Sequence, residues 1–169
     1  MDALEAILTR RSIRRYTAEP VAEDLIKKLL EAAMYAPSAH NQQPWQFIVI
    51  QDRQLLDKIP EFHPYSSMLK SAPLAILVCG DSSRFKSSYF WPQDCAAATQ
   101  NILLAARALG LGTVWMGVYP KENLMEGLRT LFKIPEEVIP FSLIAVGYPA
   151  EEKPRPERFD ERRIHYNKW

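Results

Sequence analysis

Residues 92–118 read PQDCAAATQNILLAARALGLGTVWMGV. Ala96, Ala97, Ala98, Leu103, Leu104, Ala105, Ala106 and Leu109 make residues 92–109 apolar nearly all round. A helix of that kind belongs in a core or at a subunit interface. Gly110 suits the C′ position that ends it, because glycine takes the left-handed conformation without a Cβ penalty. Residues 113–118, TVWMGV, are β-branched and aromatic and predict a strand. Upstream, residues 74–79, LAILVC, are apolar without alternation, which predicts a strand buried on both faces.

The flanking segments repeat this mixture without strict βαβ alternation. Residues 2–9, DALEAILT, space Leu4, Ile7 and Leu8 as a helix, with Asp2 placed at its N-terminus. A second helix is predicted over 22–35 from the stripe Leu25, Ile26, Leu29, Leu30 and Ala33, and Pro37 ends it. Residues 45–51, WQFIVIQ, predict a strand, 53–59 a short helix, 121–133 a further helix and 141–147, FSLIAVG, the last strand. Two helices come first and a long helix separates the middle strands. That order predicts an α+β fold, a central mixed sheet flanked by helices.

The chain has 169 residues, 47% hydrophobic and 24% charged, so residues 1–169 form a single folded domain rather than a disordered chain. Lys and Arg number 21 against 20 Asp and Glu, a formal charge of +1, too small a basic excess for a generic nucleic-acid binder. Cys79 and Cys95 cannot build a disulfide scaffold and lack metal-type spacing, and His40, His63 and His165 are scattered. No apolar run reaches transmembrane length, since Arg107 interrupts the longest candidate. The opening MDALEAILTRRS places acids before its bases and has no small-residue cleavage site. The expected location is a reducing cytoplasm. Residues 148–169 carry prolines at 149, 154 and 156 and many charges, yet also Phe159, Ile164, Tyr166 and Trp169. An extended tail packing on another surface, that of a partner subunit, is the expectation.

Three features carry chemistry. Arg10, Arg11, Arg14 and Arg15 cluster at one end and Lys153, Arg155, Arg158, Arg162 and Arg163 at the other, so a near-neutral total hides two basic patches. Either they converge on a phosphate, for which guanidinium forks are suited, or they form a solvated basic face. The loop PSAHNQQP, 37–44, offers amides suited to the edge of a heterocycle, or is a polar turn entering a strand. Gly110, Gly112 and Gly117 do not match the dinucleotide fingerprint, because the third glycine is too late and the run goes from helix to strand. Gly117 marks either a bulge or a place where a ligand nears the backbone. No acid–base pair stands out, which suits an enzyme whose chemistry belongs to a cofactor.

Taken together, RRSIR at 10–14, APSAHNQQPW at 36–45, ALGLGTVWMG at 108–117, FSLIAVGYP at 141–149 and EEKPRP at 151–156 resemble the nitroreductase family of flavin enzymes in its short form. The resemblance spans nearly the whole chain. It implies a nitroreductase-like homodimer with FMN at two interfacial sites. By position, Arg10, Arg11 and Ser12 would bind the FMN phosphate, and Arg14 the ribityl chain and pyrimidine side. Lys153 and Arg155 would match the late phosphate pair, and Pro37, Ser38, Ala39 and Asn41 the loop supplied by the other subunit. Met116 and Gly117 would lie where backbone nears the ring. The implied activity is hydride transfer from NADH or NADPH through FMN to a small acceptor such as a nitroaromatic or quinone, in a ping-pong cycle. Flavin storage, or flavin cleavage on the same scaffold, are the alternatives. The short chain leaves little room for helices over the pocket, so Phe85, Tyr89, Phe90 and Trp91 are expected at its entrance.

Overall fold

Asp2 accepts the Glu5 amide at 2.8 Å and starts α1 (Ala3–Thr9) as an N-cap. The computed structural model describes all 169 residues. After α1 come α2 (Glu23–Met34), β1 (Trp45–Ile50), α3 (Arg53–Lys58) and β2 (Leu74–Asp81). They are followed by α4 (Trp91–Ala108), β3 (Gly112–Gly117), α5 (Glu122–Phe132) and β4 (Val138–Gly147). Gly110 has φ 79° after α4, the left-handed conformation expected of it.

The four strands form one sheet in the order β1-β2-β4-β3, and every neighbouring pair is antiparallel. This corrects the expected mixed sheet within an α+β fold that otherwise stands. The connection through α4 does return the chain parallel to β2, but two positions away, and β4 fills the gap in the opposite sense. The one parallel pairing is an isolated bridge, Ser12 to Thr113. β4 begins earlier than expected, at Val138, and passes through Pro140. The register shift between Val78 and Cys79 lies opposite that proline, which has no N–H to give the ladder.

β2 is buried along seven of its eight residues because both faces of the sheet are covered. Leu74, Ile76 and Val78 join Leu29 and Ala33 of α2 and Cys95, Ala98 and Ile102 of α4 in one core. Ala75, Leu77 and Cys79 join Leu56 of α3 and Leu124 and Leu128 of α5 in the other. Burying this apolar surface on both sides supplies the main folding drive. The long helix finds its cover within one chain, between α1, α2 and the sheet. Its apolarity therefore does not by itself demand a second subunit. The apolar groups left uncovered are elsewhere: Leu4, Ile7 and Leu8 on α1, and Phe159, Tyr166 and Trp169 in the tail.

Residues 10–17 close the edge of the sheet. The Ile13 amide donates to the Thr113 carbonyl at 2.9 Å, and Tyr16 bridges Pro149. The Thr17 amide donates to Tyr148 O and the Ala150 amide to Arg15 O, each at 2.9 Å. Gly112 permits this close approach, since a Cβ there would meet Ile13 Cγ2 at 2.8 Å. We expect Gly112→Ala to cost about 1–3 kcal/mol by overpacking, read as a lower denaturant midpoint.

Candidate cofactor-binding site

The edge closure decides where the two basic patches sit. Arg10, Arg11 and Lys153 line one cavity of about 330 Å³ with Thr9, Gly112 and Thr113. Arg10 and Arg155 line an adjoining cavity of about 650 Å³ with Ile7, Leu8 and Arg158. The cations from opposite ends of the sequence therefore share walls in one subunit. Lys153 Nζ donates to Ser12 O at 2.7 Å and pairs with Glu151 at 3.3 Å. The Arg11 guanidinium donates to Pro154 O. The Arg14 amide donates to Glu151 Oε1 at 2.6 Å. That amide bond, foremost, with Lys153 adding to it, holds the Glu151 carboxyl below its ordinary pKa.

Farther along β3, a third cavity of about 460 Å³ is lined by Arg14, His63, Tyr65, Met68, Trp115, Met116 and Gly117, among others. Gly117 is open, with nothing within 4 Å of a Cβ built there, and its pairing with Ser142 is regular. The bulge alternative for Gly117 therefore fails; the bulge is in β4, where Phe141 is the extra residue opposite Val78 and Cys79. Cations at one end, and an apolar wall with exposed backbone and a guanidinium at the other, fit a planar ring carrying a phosphate tail.

The loop of Pro37, Ser38, Ala39 and Asn41 lies outside these three cavities. Its backbone is demanding: His40, Asn41 and Gln43 have φ of 51°, 50° and 45°, values costly for non-glycine residues. Asp94, buried in the first turn of α4, holds it in place. Asp94 accepts the Ala39 amide at 2.9 Å and Gln42 Nε2 at 2.6 Å. Gln42 Oε1 in turn accepts the Lys86 and Ser87 amides. Of the two readings open for the loop's amides, ligand edge or polar turn, Gln42 takes the structural one. Asp94 escaped the sequence reading, although a lone acid inside an alanine-rich helix was the available signal.

His63 was also missed, because only its neighbours in space give it meaning. It is buried, and Nε2 donates to the Gly117 carbonyl at 3.1 Å, which fixes the tautomer and leaves Nδ1 without a partner. Burial, more than the nearby Lys121 charge, lowers its pKa. Cys79 and Cys95 are buried structural thiols, Cys79 pushed up to about 12 chiefly by burial. Phe85, Tyr89, Phe90 and Trp91, expected at the pocket entrance, line none of the three cavities; Phe85 is linked to Trp115 by one stacked, one edge-on and one tilted contact. Phe85 packs on Trp91 at 5.6 Å, Trp91 on Phe141 at 5.8 Å, and Phe141 on Trp115 at 6.1 Å.

With this geometry in view, the nitroreductase family model matches residues 7–63 and 61–148, and the chain belongs to that oxidoreductase family. A protein of Methanothermobacter thermautotrophicus, named provisionally as an NADH dehydrogenase/NAD(P)H nitroreductase, is 60% identical over all of this chain and 88% of its own length. The FMN reductase [NAD(P)H] of Bacillus subtilis is 30% identical, over 98% of this chain and 73% of that protein. A crystal structure from Desulfovibrio desulfuricans, provisionally a nitroreductase and solved in complex with FMN, superposes with a TM-score of 0.86. It is 33% identical and covers 100% of this chain and 98% of that one.

Two outcomes follow from the local chemistry. Asp94→Ala leaves the Ala39 amide and Gln42 side chain unpaired, and should cost about 1–3 kcal/mol. Faster hydrogen exchange over residues 38–43 would accompany it. His63 is neutral in the fold and takes a proton more readily when unfolded, so its contribution is complete above about pH 6.5. It is lost as pH falls toward the lowered native value. His63→Gln should flatten the decline in denaturant stability between pH 7.5 and 5.5.

Proposed function

We propose that this protein is an FMN-dependent NAD(P)H oxidoreductase acting on a small acceptor such as a nitroaromatic or quinone. The observation that carries the reading is the shared wall of Arg10 with Lys153 and of Arg10 with Arg155, with a separate cavity of Arg14, Met116 and Gly117 farther along β3. Arg10, Arg11, Lys153 and Arg155 would neutralise the phosphate, with Ser12 beside them on the bridge to Thr113. Arg14 would sit at the ribityl chain and the pyrimidine edge, where its positive charge favours electron uptake. Met116 and Gly117 would present side chain and open backbone to the ring. Bound FMN would supply the redox chemistry, accepting a hydride from NAD(P)H and passing reducing equivalents to the acceptor in the same slot, a ping-pong cycle.

The residues of the chain would then bind and orient rather than transfer protons. The loop of Pro37, Ser38, Ala39 and Asn41 stands apart from the three cavities, which supports its serving a second subunit's site in a homodimer. The uncovered faces of α1 and the tail support the same arrangement, with residues 148–169 lying on the partner. No helix is long and apolar enough to cross a membrane.

The purified protein should be yellow, or should quench FMN fluorescence on titration, and the bound visible band should bleach on anaerobic mixing with NADH or NADPH. A colourless protein with no FMN response overturns the reading. Binding without bleaching leaves storage in its place. Arg14→Ala and Arg155→Ala should each weaken FMN binding by about 1–3 kcal/mol.

A further inference from the structure

Arg107 stands in the last turn of α4, far from both basic patches in sequence. In the fold it lines the same cavity as Arg10, Arg11 and Lys153. Its Nε donates to Thr9 Oγ1 at 3.0 Å, and the Thr9 hydroxyl donates to the Glu5 carbonyl at 2.6 Å. No carboxylate lies within ion-pair distance of Arg107, whereas Lys153 pairs with Glu151 and one Arg11 nitrogen donates to Pro154 O. Its two terminal nitrogens have no protein partner and are free to serve the cavity.

The charge balance of that cavity is unusual. Four cationic side chains and two acidic ones, Glu151 and Glu152, form its wall, a surplus of two positive charges. Glu151 is already engaged by the Arg14 amide and Lys153, and Glu152 is exposed to solvent. Arg10 is held below the ordinary guanidinium pKa by burial first, then by the charges of Arg158 and Arg11. Bringing a fourth cation, the half-buried Arg107 guanidinium, into such a wall raises the energy of the empty protein unless an anion enters. A phosphate dianion matches the surplus in both charge and donor geometry.

We infer that Arg107, held by Thr9, is a further phosphate-binding residue of this site, a third sequence segment contributing to the cradle formed by the N-terminal and late basic patches. The inference rests on the FMN reading above, with Thr9 as a positioning residue. A guanidinium in the last turn could instead serve only the helix dipole, and that role would not discriminate between flavins with and without a phosphate.

The test compares FMN with riboflavin, which carries the same ring and lacks the phosphate. Apoprotein, Arg107→Gln and Thr9→Val are titrated with each by fluorescence quenching, at low and high salt. The expected result is a loss of FMN affinity of about fivefold or more in Arg107→Gln, with riboflavin affinity unchanged and a shallower salt dependence for FMN. Thr9→Val should shift FMN affinity in the same direction by less. Because Thr9→Val retains the charge and α4, it reports even if Arg107→Gln folds poorly. Losses matched between FMN and riboflavin, or no loss for either, overturn the inference. If the wild type itself binds FMN no better than riboflavin, the phosphate site as a whole fails. A wild-type preference that both variants retain removes Arg107 alone.

Discussion

The structure depends on one strip of backbone, residues 12–17, laid along the edge of β3 and the chain that follows β4. Four hydrogen-bonded contacts hold it: Ile13 to Thr113, Thr17 to Tyr148, Ala150 to Arg15, and the Lys153 ammonium to Ser12. An edge strand presents unpaired amides and carbonyls, and covering them answers that liability. The same act joins the two ends of the polypeptide. Arg10 and Arg11, just ahead of the strip, share cavity walls with Lys153 and Arg155, while Arg14 lines the cavity of Met116 and Gly117. The side chains that would repel one another in isolation are gathered chiefly by three backbone–backbone bonds that carry no net charge.

The rest of the molecule makes that edge rigid. β4 is hydrogen-bonded between β2 and β3, and β2 is buried against helices on both faces. A sheet covered in this way moves little, so Thr113, Met116 and Gly117 are fixed points against which the arginines are placed. His63 ties the far end of β3 to the segment after α3 by its bond to the Gly117 carbonyl. The loop at 37–43 is held just as firmly, but by a side chain. A buried Asp94 with two hydrogen-bond donors keeps three residues in left-handed backbone conformations that cost energy.

Much of this was legible in the residues. The apolar run of α4, the unalternating LAILVC of β2, the Asp2 cap and the glycine after α4 each follow from local physical rules. The family resemblance rested on motifs that survive without knowledge of their positions in space. Other features were not legible. The antiparallel sheet departs from the expected mixed one because nothing in the order of elements says that β4 inserts between two strands running the same way. Gln42 reads equally as a ligand-facing amide or a turn residue until Asp94, fifty-two residues away, is seen to occupy it. His63 and Arg107 carry no motif, and their roles come only from the carbonyl and the cations they meet.

Side-chain periodicity and turn chemistry are properties of neighbouring residues, so the amino-acid sequence alone determined the elements, their caps and which of their faces are apolar. Charge convergence is a property of distance, and distance between residues 10 and 155 is decided by sheet pairing. Only the tertiary structure could determine that two basic patches and an isolated arginine face one another, because the free energy that brings them together is the burial and hydrogen bonding of other residues.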